Sequence, residues 1–323
     1  MTKIAMIGEI HEDGWKNLAY QNIDIFEITD LSQENLIKQL KDVDAVALRT
    51  ATLNEDVLKY CPKIQIISRH GVGYDNVDLN YLNKHNQALA ITGMSNAVSV
   101  AEHVMTMFLY LAKKINKSDN LVRTNNFINK NLLGNFFELY QKNILILGFG
   151  RIGQAVAKRC KGFDANILIY DPFVNKEIIH KDNYKKVEFN VGIKEADFIT
   201  VHIPLSNQTK NLINKKEFKK MKDDVIIVNT ARGGIVNEED LYWALKNKII
   251  FAAGTDVFEI EPPNMNNPLF TLDNILLSPH NAALTLECRK RMAVETFENI
   301  IFYLKDRSKL KKQNIINRKI LNL

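Results

Sequence analysis

Three residues fit for charge or proton chemistry fall at the ends of apolar runs in the later part of the chain. They are Arg232 in "VNTARGGIVNEEDL", Glu261 in "GTDVFEIEPP" and His280 in "LLSPHNAALT". Each has a plainer role open to it: a solvated turn for an Arg before Gly-Gly, a loop for a Glu before Pro-Pro, a satisfied surface position for a His after Pro. Together they supply what hydride transfer on a small hydroxy acid needs. A guanidinium holds a carboxylate bidentately. An imidazole titrates in the range needed to take the hydroxyl proton and to return it in the reverse direction. A carboxylate beside that imidazole favours the imidazolium and fixes its tautomer.

Such a reaction also needs a hydride carrier. Gly148, Gly150 and Gly153 form GxGxxG in "ILILGFGRIG", a weak signal alone. Here it follows a strand-like run, opens the helical "QAVAKRCKGF", and precedes "NILIYDP". The Asp171 of that run lies roughly 20 residues on, as a dinucleotide fingerprint requires. The first glycine permits the tight turn, the second lets backbone approach a pyrophosphate, and the third lets helix and strand pack. The helix N-terminus then offers N–H groups to the phosphates. Asp171 can accept hydrogen bonds from ribose hydroxyls and would repel a 2′-phosphate. Pro172 and Phe173 follow it, with no Arg, so NAD is expected over NADP. Asp256 can meet the nicotinamide carboxamide.

The elements that must position these groups come in two series. Residues 1 to about 95 alternate "KIAMIG", "IDIFEIT", "AVALRT", "IQIISRH" and "LAITG" with amphipathic stretches such as "SQENLIKQLKD", capped at Ser32. A helix is expected from about Val98 to Ile115, then a polar excursion or partial helix over "NKSDNLVRTNNFINKN". The second series runs "NILILGFG", "NILIYDP", "ADFITVHIP", "DVIIVNTARG", "FAAGTDVF" and "NILLSPH". Its helix "NEEDLYWALKN" carries a cap at Asn237 and acids at its positive end. A last helix is expected from about Thr285 to Leu304. Strands alternating with helices imply parallel βαβ units. At 323 residues the chain exceeds what one core usually fills, so the fold class is α/β with two doubly wound parallel-sheet domains.

Composition excludes other classes. Apolar residues at 46% and charged residues at 25% are those of a soluble globular protein. The net charge of +6 is spread along the chain, and the basic tail "KDRSKLKKQNIINRK" lacks aromatic interleaving, so it is expected to be a solvated end. Neither nucleic acid nor membrane is expected as a partner. Cys61, Cys160 and Cys288 lack metal-site spacing and read as reduced, part-buried thiols of a cytoplasmic protein, with no metal.

Along nearly its whole length the sequence resembles the D-isomer-specific 2-hydroxyacid dehydrogenases. The matching segments are "RHGVGYDNVDL", "SNAVSVAEHVM", "ILGFGRIG", "IYDP", "HIPLSNQT", "VNTARGGIVNEEDL", "GTDVFEIEP" and "LLSPHNAAL". The resemblance implies a flavodoxin-like substrate-binding domain over residues 1–96, an inserted Rossmann NAD-binding domain over 97–286, and a return to the first domain over 287–323. The active site would be the cleft between them, closed by a hinge. By the same resemblance Arg232 binds the substrate carboxylate, Glu261 pairs with the histidine and tunes its protonation, and His280 is the acid/base. Cofactor contacts would come from the glycine turn with Arg151 and Ile152, and from Asp171, His202, Pro204, Thr209, Thr230, Ala231, Arg232, Asp256, His280 and Ala282. Backbone N–H groups of Val72 and Gly73 would meet the substrate carboxylate, with Asn96 lining the crossing between domains. A homodimer joined through the cofactor domains is the family's habit.

The segments "LRTATLNEDVL" and "SRHGVGYDNVD" look most like the phosphoglycerate and hydroxypyruvate dehydrogenases. Arg49 and Arg69 then stand at the substrate mouth and suit a second anion, or else Arg49 merely ends a strand and Arg69 supports the glycine loop. The family's usual Trp and Gly-Lys-Thr-like turn are replaced by "NNFINKNLLGNFFELYQKN". No stretch matches the appended regulatory domains of long phosphoglycerate dehydrogenases, so serine feedback through one is not expected. The expected substrate is a small D-2-hydroxy or 2-oxo acid, 3-phosphoglycerate or hydroxypyruvate/glyoxylate. An NAD(H)-sensing binding protein on the same fold is the alternative. Formate enzymes pair the histidine with Gln, and Glu261 argues against that branch.

Overall fold

Apolar runs of four to six residues can close their backbone hydrogen bonds as buried parallel strands only when helices cover both faces. The computed structural model, which describes every residue except 17 and 19–21, contains two such sheets. They belong to two units: Met1–Asn96 with Leu284–Leu323, and Ala97–Ala283. In sequence, the second is inserted into the first.

The first unit holds β1 (Thr2–Ile7), β2 (Ile23–Ile28), β3 (Ala45–Leu48), β4 (Ile66–Arg69) and β5 (Ala88–Ile91), in the order β2-β1-β3-β4-β5. All pairings are parallel. This is the flavodoxin-like order. Along β3 the residues alternate between two cores. Val46 and Leu48 face Leu36, Leu40 and Leu58, while Ala45 and Ala47 face Ala293, Phe297 and Ile300 of the helix Leu286–Lys305. The small side chains on the second face leave room for that long helix. Thr285 caps it, accepting from Cys288 N–H at 3.3 Å.

The second unit holds β6 (Asn143–Leu147), β7 (Asn166–Tyr170), β8 (Lys185–Lys186), β9 (Phe198–Val201), β10 (Ile226–Asn229), β11 (Ala252–Thr255) and β12 (Ile275–Leu277). Their order is β12-β11-β10-β9-β6-β7-β8, all parallel. This is the Rossmann order extended by one strand, and it reverses between β6 and β9. The helices Ala97–Lys113 and Arg151–Lys161 share one core, and the helix Glu238–Lys246 the other. Phe108 meets Phe198 edge-on, ring centroids 5.1 Å apart.

Several sequence expectations need correction. The basic tail is not a solvated end. Ile315 bridges Ala90 antiparallel, Ile316 N–H donates to Leu89 O, and Asn317 spans Leu89 N–H and Gln87 O at the open edge of β5. Its lysines point outward while Leu310, Asn314, Ile315 and Asn317 are buried. The helix expected to reach Ile115 stops at Lys113. Lys114 takes φ +46°, and a separate helix Ile115–Arg123 and a 3-10 turn Phe127–Leu133 follow. Ser32 stands at a helix start, but its side chain makes no cap bond, whereas Asn237 does accept from Asp240 N–H. The two-residue edge strand β8, "KK", carries no apolar signal and escapes a sequence reading. The three thiols are wholly buried, and burial pushes Cys61 up to about 11 and Cys160 up to about 12. Among the described residues no helix is long and apolar enough to cross a membrane.

Phe198→Ala would leave a ring-sized hole between β9 and the helix Ala97–Lys113. The expected loss is about 3–5 kcal/mol, read from the urea unfolding midpoint. A loss below 1 kcal/mol would show that this contact does not carry the second core.

Candidate active site

The glycine turn follows β6, beside the point where strand order reverses. Gly148 has φ +96°, and a Cβ there would stand 2.6 Å from His202 O. The turn is thus wedged against the end of β9. Around Gly150 nothing lies within 4 Å of a Cβ position, so no intramolecular packing explains that glycine. Space kept bare above the start of the helix Arg151–Lys161, which has no side-chain cap, fits a pyrophosphate. Asp171, at the end of β7, accepts from Phe149 N–H through Oδ2 (2.8 Å) and from Phe173 N–H through Oδ1 (2.9 Å). Each oxygen keeps a lone pair, so the carboxylate is oriented by the turn and can still accept from ribose hydroxyls.

His202 and Thr230 follow β9 and β10. His202 Nδ1 and Thr230 Oγ1 are buried without a partner, and burial holds the His202 ring down at about 3, hence neutral. Unpaired buried polar atoms are costly. Two of them at the carboxyl ends of neighbouring strands, next to the bare turn, fit a polar ligand. Thr209 closes the loop after Pro204 by donating to Pro204 O (2.6 Å) and accepting from Ser206 N–H.

The residues proposed for proton chemistry are joined directly. His280 Nδ1 lies 2.7 Å from Glu261 Oε2, and Glu261 Oε1 accepts from Phe258 N–H at 3.0 Å. The peptide Glu261–Pro262 is cis. Arg232 sits on the loop after β10, where Asn229 accepts from Ala231 N–H and donates to Arg232 O, and its Nη1 donates to Ala231 O. That loop abuts the Glu261 turn. A Cβ on Gly233 would fall 1.8 Å from Phe258 O, so only glycine lets the two backbones meet. A cavity of about 350 Å³ adjoins His280 and Glu261, walled by Phe258, Phe270, Leu277 and Pro279.

Asp256, expected to meet the cofactor, has a further position in the network. It is 1% exposed. Oδ1 accepts from Ser278 Oγ (2.5 Å) and Asn281 N–H (2.9 Å), and Oδ2 accepts from Ala282 N–H (3.0 Å). The carboxylate therefore holds the loop on both sides of His280, whose φ is +51°. Sequence reasoning passed over Asn229, Phe258 and Ser278. Asn229 and Ser278 leave a signal, a small polar residue closing an apolar strand; Phe258 acts through its backbone and leaves none.

In the first unit Arg69 supports its own loop. It donates through Nε to Asn76 Oδ1 and through Nη1 to His70 O. Arg49 donates to Glu9 O at 2.7 Å and pairs with the Glu9 carboxylate. Val72 and Gly73 are half-buried in the loop after β4. Asn96 is buried with Oδ1 unpartnered. His70, which directly follows Arg69 and feels the charges of both arginines, is 6% exposed with Nε2 unpartnered. Among the described residues no group of His, Cys, Asp and Glu is arranged to hold a metal.

The family model for the NAD binding domain of D-isomer specific 2-hydroxyacid dehydrogenases matches residues 105–282. The chain is 37% identical over 300 residues to a D-3-phosphoglycerate dehydrogenase of Archaeoglobus fulgidus, covering 93% of this chain and 56% of that one. It thus spans little more than half the length of that relative. It is also 37% identical over 284 residues to a hydroxypyruvate reductase of Thermotoga maritima, covering 86% and 91% of the two chains. Among solved structures, the NAD-dependent formate dehydrogenase of Staphylococcus aureus in complex with NAD superposes with a TM-score of 0.84 at 29% identity, covering 98% and 99%.

His70 gives the first unit a titration signature. Burial, then the Arg49 and Arg69 charges, lower it from 6.5 to about 4. Its folded value lies below the unfolded one, so its contribution is complete above pH 6.5 and is lost as pH falls towards 4. The slope is about 1.4 kcal/mol per pH unit. Urea midpoints should therefore fall more steeply from pH 7 to 4.5 in the parent than in His70→Asn. Parallel curves would remove the assignment.

Proposed function

This chain belongs to the D-isomer specific 2-hydroxyacid dehydrogenase family, and from that premise we propose that it transfers hydride between NAD and C2 of a small D-2-hydroxy acid or 2-oxo acid. The substrate class is 3-phosphoglycerate or hydroxypyruvate/glyoxylate. One observation carries the reading: His280 bound through Nδ1 to Glu261, next to the Arg232 loop, at the carboxyl ends of β10, β11 and β12.

Bound nicotinamide supplies the hydride or accepts it. Everything else falls to the chain. With Nδ1 committed to Glu261, His280 exchanges protons through Nε2. In reduction it gives a proton to the carbonyl oxygen as hydride reaches C2; in oxidation it takes the hydroxyl proton. Glu261 fixes the ring and balances the imidazolium charge. Arg232 binds the substrate carboxylate, and the planar fork sets which face of C2 is presented. Asp171 selects NAD through the ribose. Arg151, Ile152, His202, Pro204, Thr209, Thr230, Ala231 and Ala282 line the cofactor's path, and Asp256 meets the carboxamide. The reading extends to Val72, Gly73 and Asn96 as substrate contacts in the first unit, with Arg49 and Arg69 as cations for a second anion.

The assembly we assign is a homodimer. Val122, Phe127, Ile128 and Leu132 are exposed along the segment 115–133, and apolar groups gathered in this way mark an interaction surface. A cytoplasmic location accords with three thiols, none in a disulfide.

The test is NADH oxidation with hydroxypyruvate, glyoxylate, pyruvate and phosphohydroxypyruvate. His280→Ala should lower kcat on the order of 10²–10⁴-fold while NADH binding holds. Absence of turnover on all four acids would overturn the reading. Asp171→Ala should relax the preference for NAD over NADP; an unchanged ratio would remove the ribose assignment.

A further inference from the structure

We propose that Ser99 and His103 are positioning residues: from one face of the helix Ala97–Lys113 they clamp the two ends of the loop Ser278–Ala282 and hold His280 in its working conformation. What the clamp serves rests on the function proposed above; the clamp itself does not.

Ser99 and His103 are four residues apart, so their side chains lie one above the other on a single helix face. Ser99 Oγ donates to Ala282 O at 2.6 Å. His103 Nε2 lies 3.0 Å from Ser278 Oγ. The Ser278 hydroxyl proton is directed to Asp256 Oδ1 at 2.5 Å, so its oxygen must accept from His103, which places a proton on Nε2. Asp256 then takes Asn281 and Ala282 N–H. The helix thus grips the loop at its first and last residues, and the buried carboxylate grips the backbone N–H groups of its last two.

Those five hydrogen bonds surround the one residue of the loop that needs them. A histidine at φ +51° holds that conformation only where neighbours over-determine it. Glu261 fixes the ring but not the backbone that carries it. His103 Nε2 also lies 3.8 Å from Asp256 Oδ1. Among the described residues no lysine or arginine bonds that carboxylate, so the relay from His103 through Ser278 supplies its side-chain donor.

The decisive measurement is amide hydrogen exchange on the unliganded protein. In His103→Leu the segment 278–283 should exchange about ten-fold faster, with β10 and β11 unchanged. His103→Gln, which keeps an N–H donor, should restore protection. Ser99→Ala should loosen the Ala282 end. Unchanged loop exchange in both His103→Leu and Ser99→Ala overturns the proposal. If His103→Leu loosens the whole sheet, Ser278→Ala decides by the same comparison. In turnover, His103→Leu should lower kcat about ten-fold or more with the NADH KM within about two-fold. A loosened loop with full kcat would sever the clamp from His280. If the parent turns over none of the four acids, the proposed function fails, and exchange still judges the clamp.

Discussion

A carboxylate removed from water must be met by donors, and at Asp256 meeting that demand dictates the path of the chain beyond β12. Two successive backbone N–H groups and a serine hydroxyl converge on it. They do so with His280, next to Asn281 in the chain, turned into the left-handed region. The imidazole is then delivered to Glu261, itself steadied by Phe258 N–H. A buried charge with incomplete donors would be strongly destabilising, so the loop has little freedom to relax. Rigidity is what the proton transfer proposed for His280 needs, because small misplacement of reacting atoms costs rate steeply.

The scaffold makes this arrangement possible by direction. In a parallel sheet every strand ends on the same side, so the loops after β6, β7, β9, β10, β11 and β12 gather without any long connection. Order reversal between β6 and β9 splits the helices above the sheet and leaves the glycine turn uncovered. Close backbone approach completes the site. The turn at Gly148 presses on His202 O, and Gly233 presses on Phe258 O. Both are contacts between neighbouring strand ends. The first unit uses the same architecture with a five-stranded sheet, but closes the edge at β5 with the chain's own tail. An edge left open would present unpaired N–H and C=O groups.

Much of this was legible in the order of residues. Short apolar runs marked the strands of both sheets apart from β8, and the spacing from the glycine turn to Asp171 marked a dinucleotide site. Arg232, Glu261 and His280 each have a plainer role open to them, and stood out only as a set that supplies what hydride transfer on a hydroxy acid needs. The misreadings share a cause. Lysines dominate a linear view of the tail and predict a solvated end, whereas Ile315 and Asn317 are recruited by the edge of a strand more than 200 residues earlier. Composition that continues past Lys113 predicts a helix running on to Ile115, while the chain turns at Lys114.

Chemistry and class were therefore set by sequence: which groups can take a proton, hold a carboxylate or cradle a phosphate is a property of residue type and local spacing. The pairing of Nδ1 with Glu261, the use of Asp256 to pin a loop, and the meeting of Ser99 and His103 with the two ends of that loop were decided only on folding. Those contacts join residues 19 to 183 positions apart. Local pattern cannot specify them, because each depends on where the sheet brings distant strand ends and which donors a buried anion then finds.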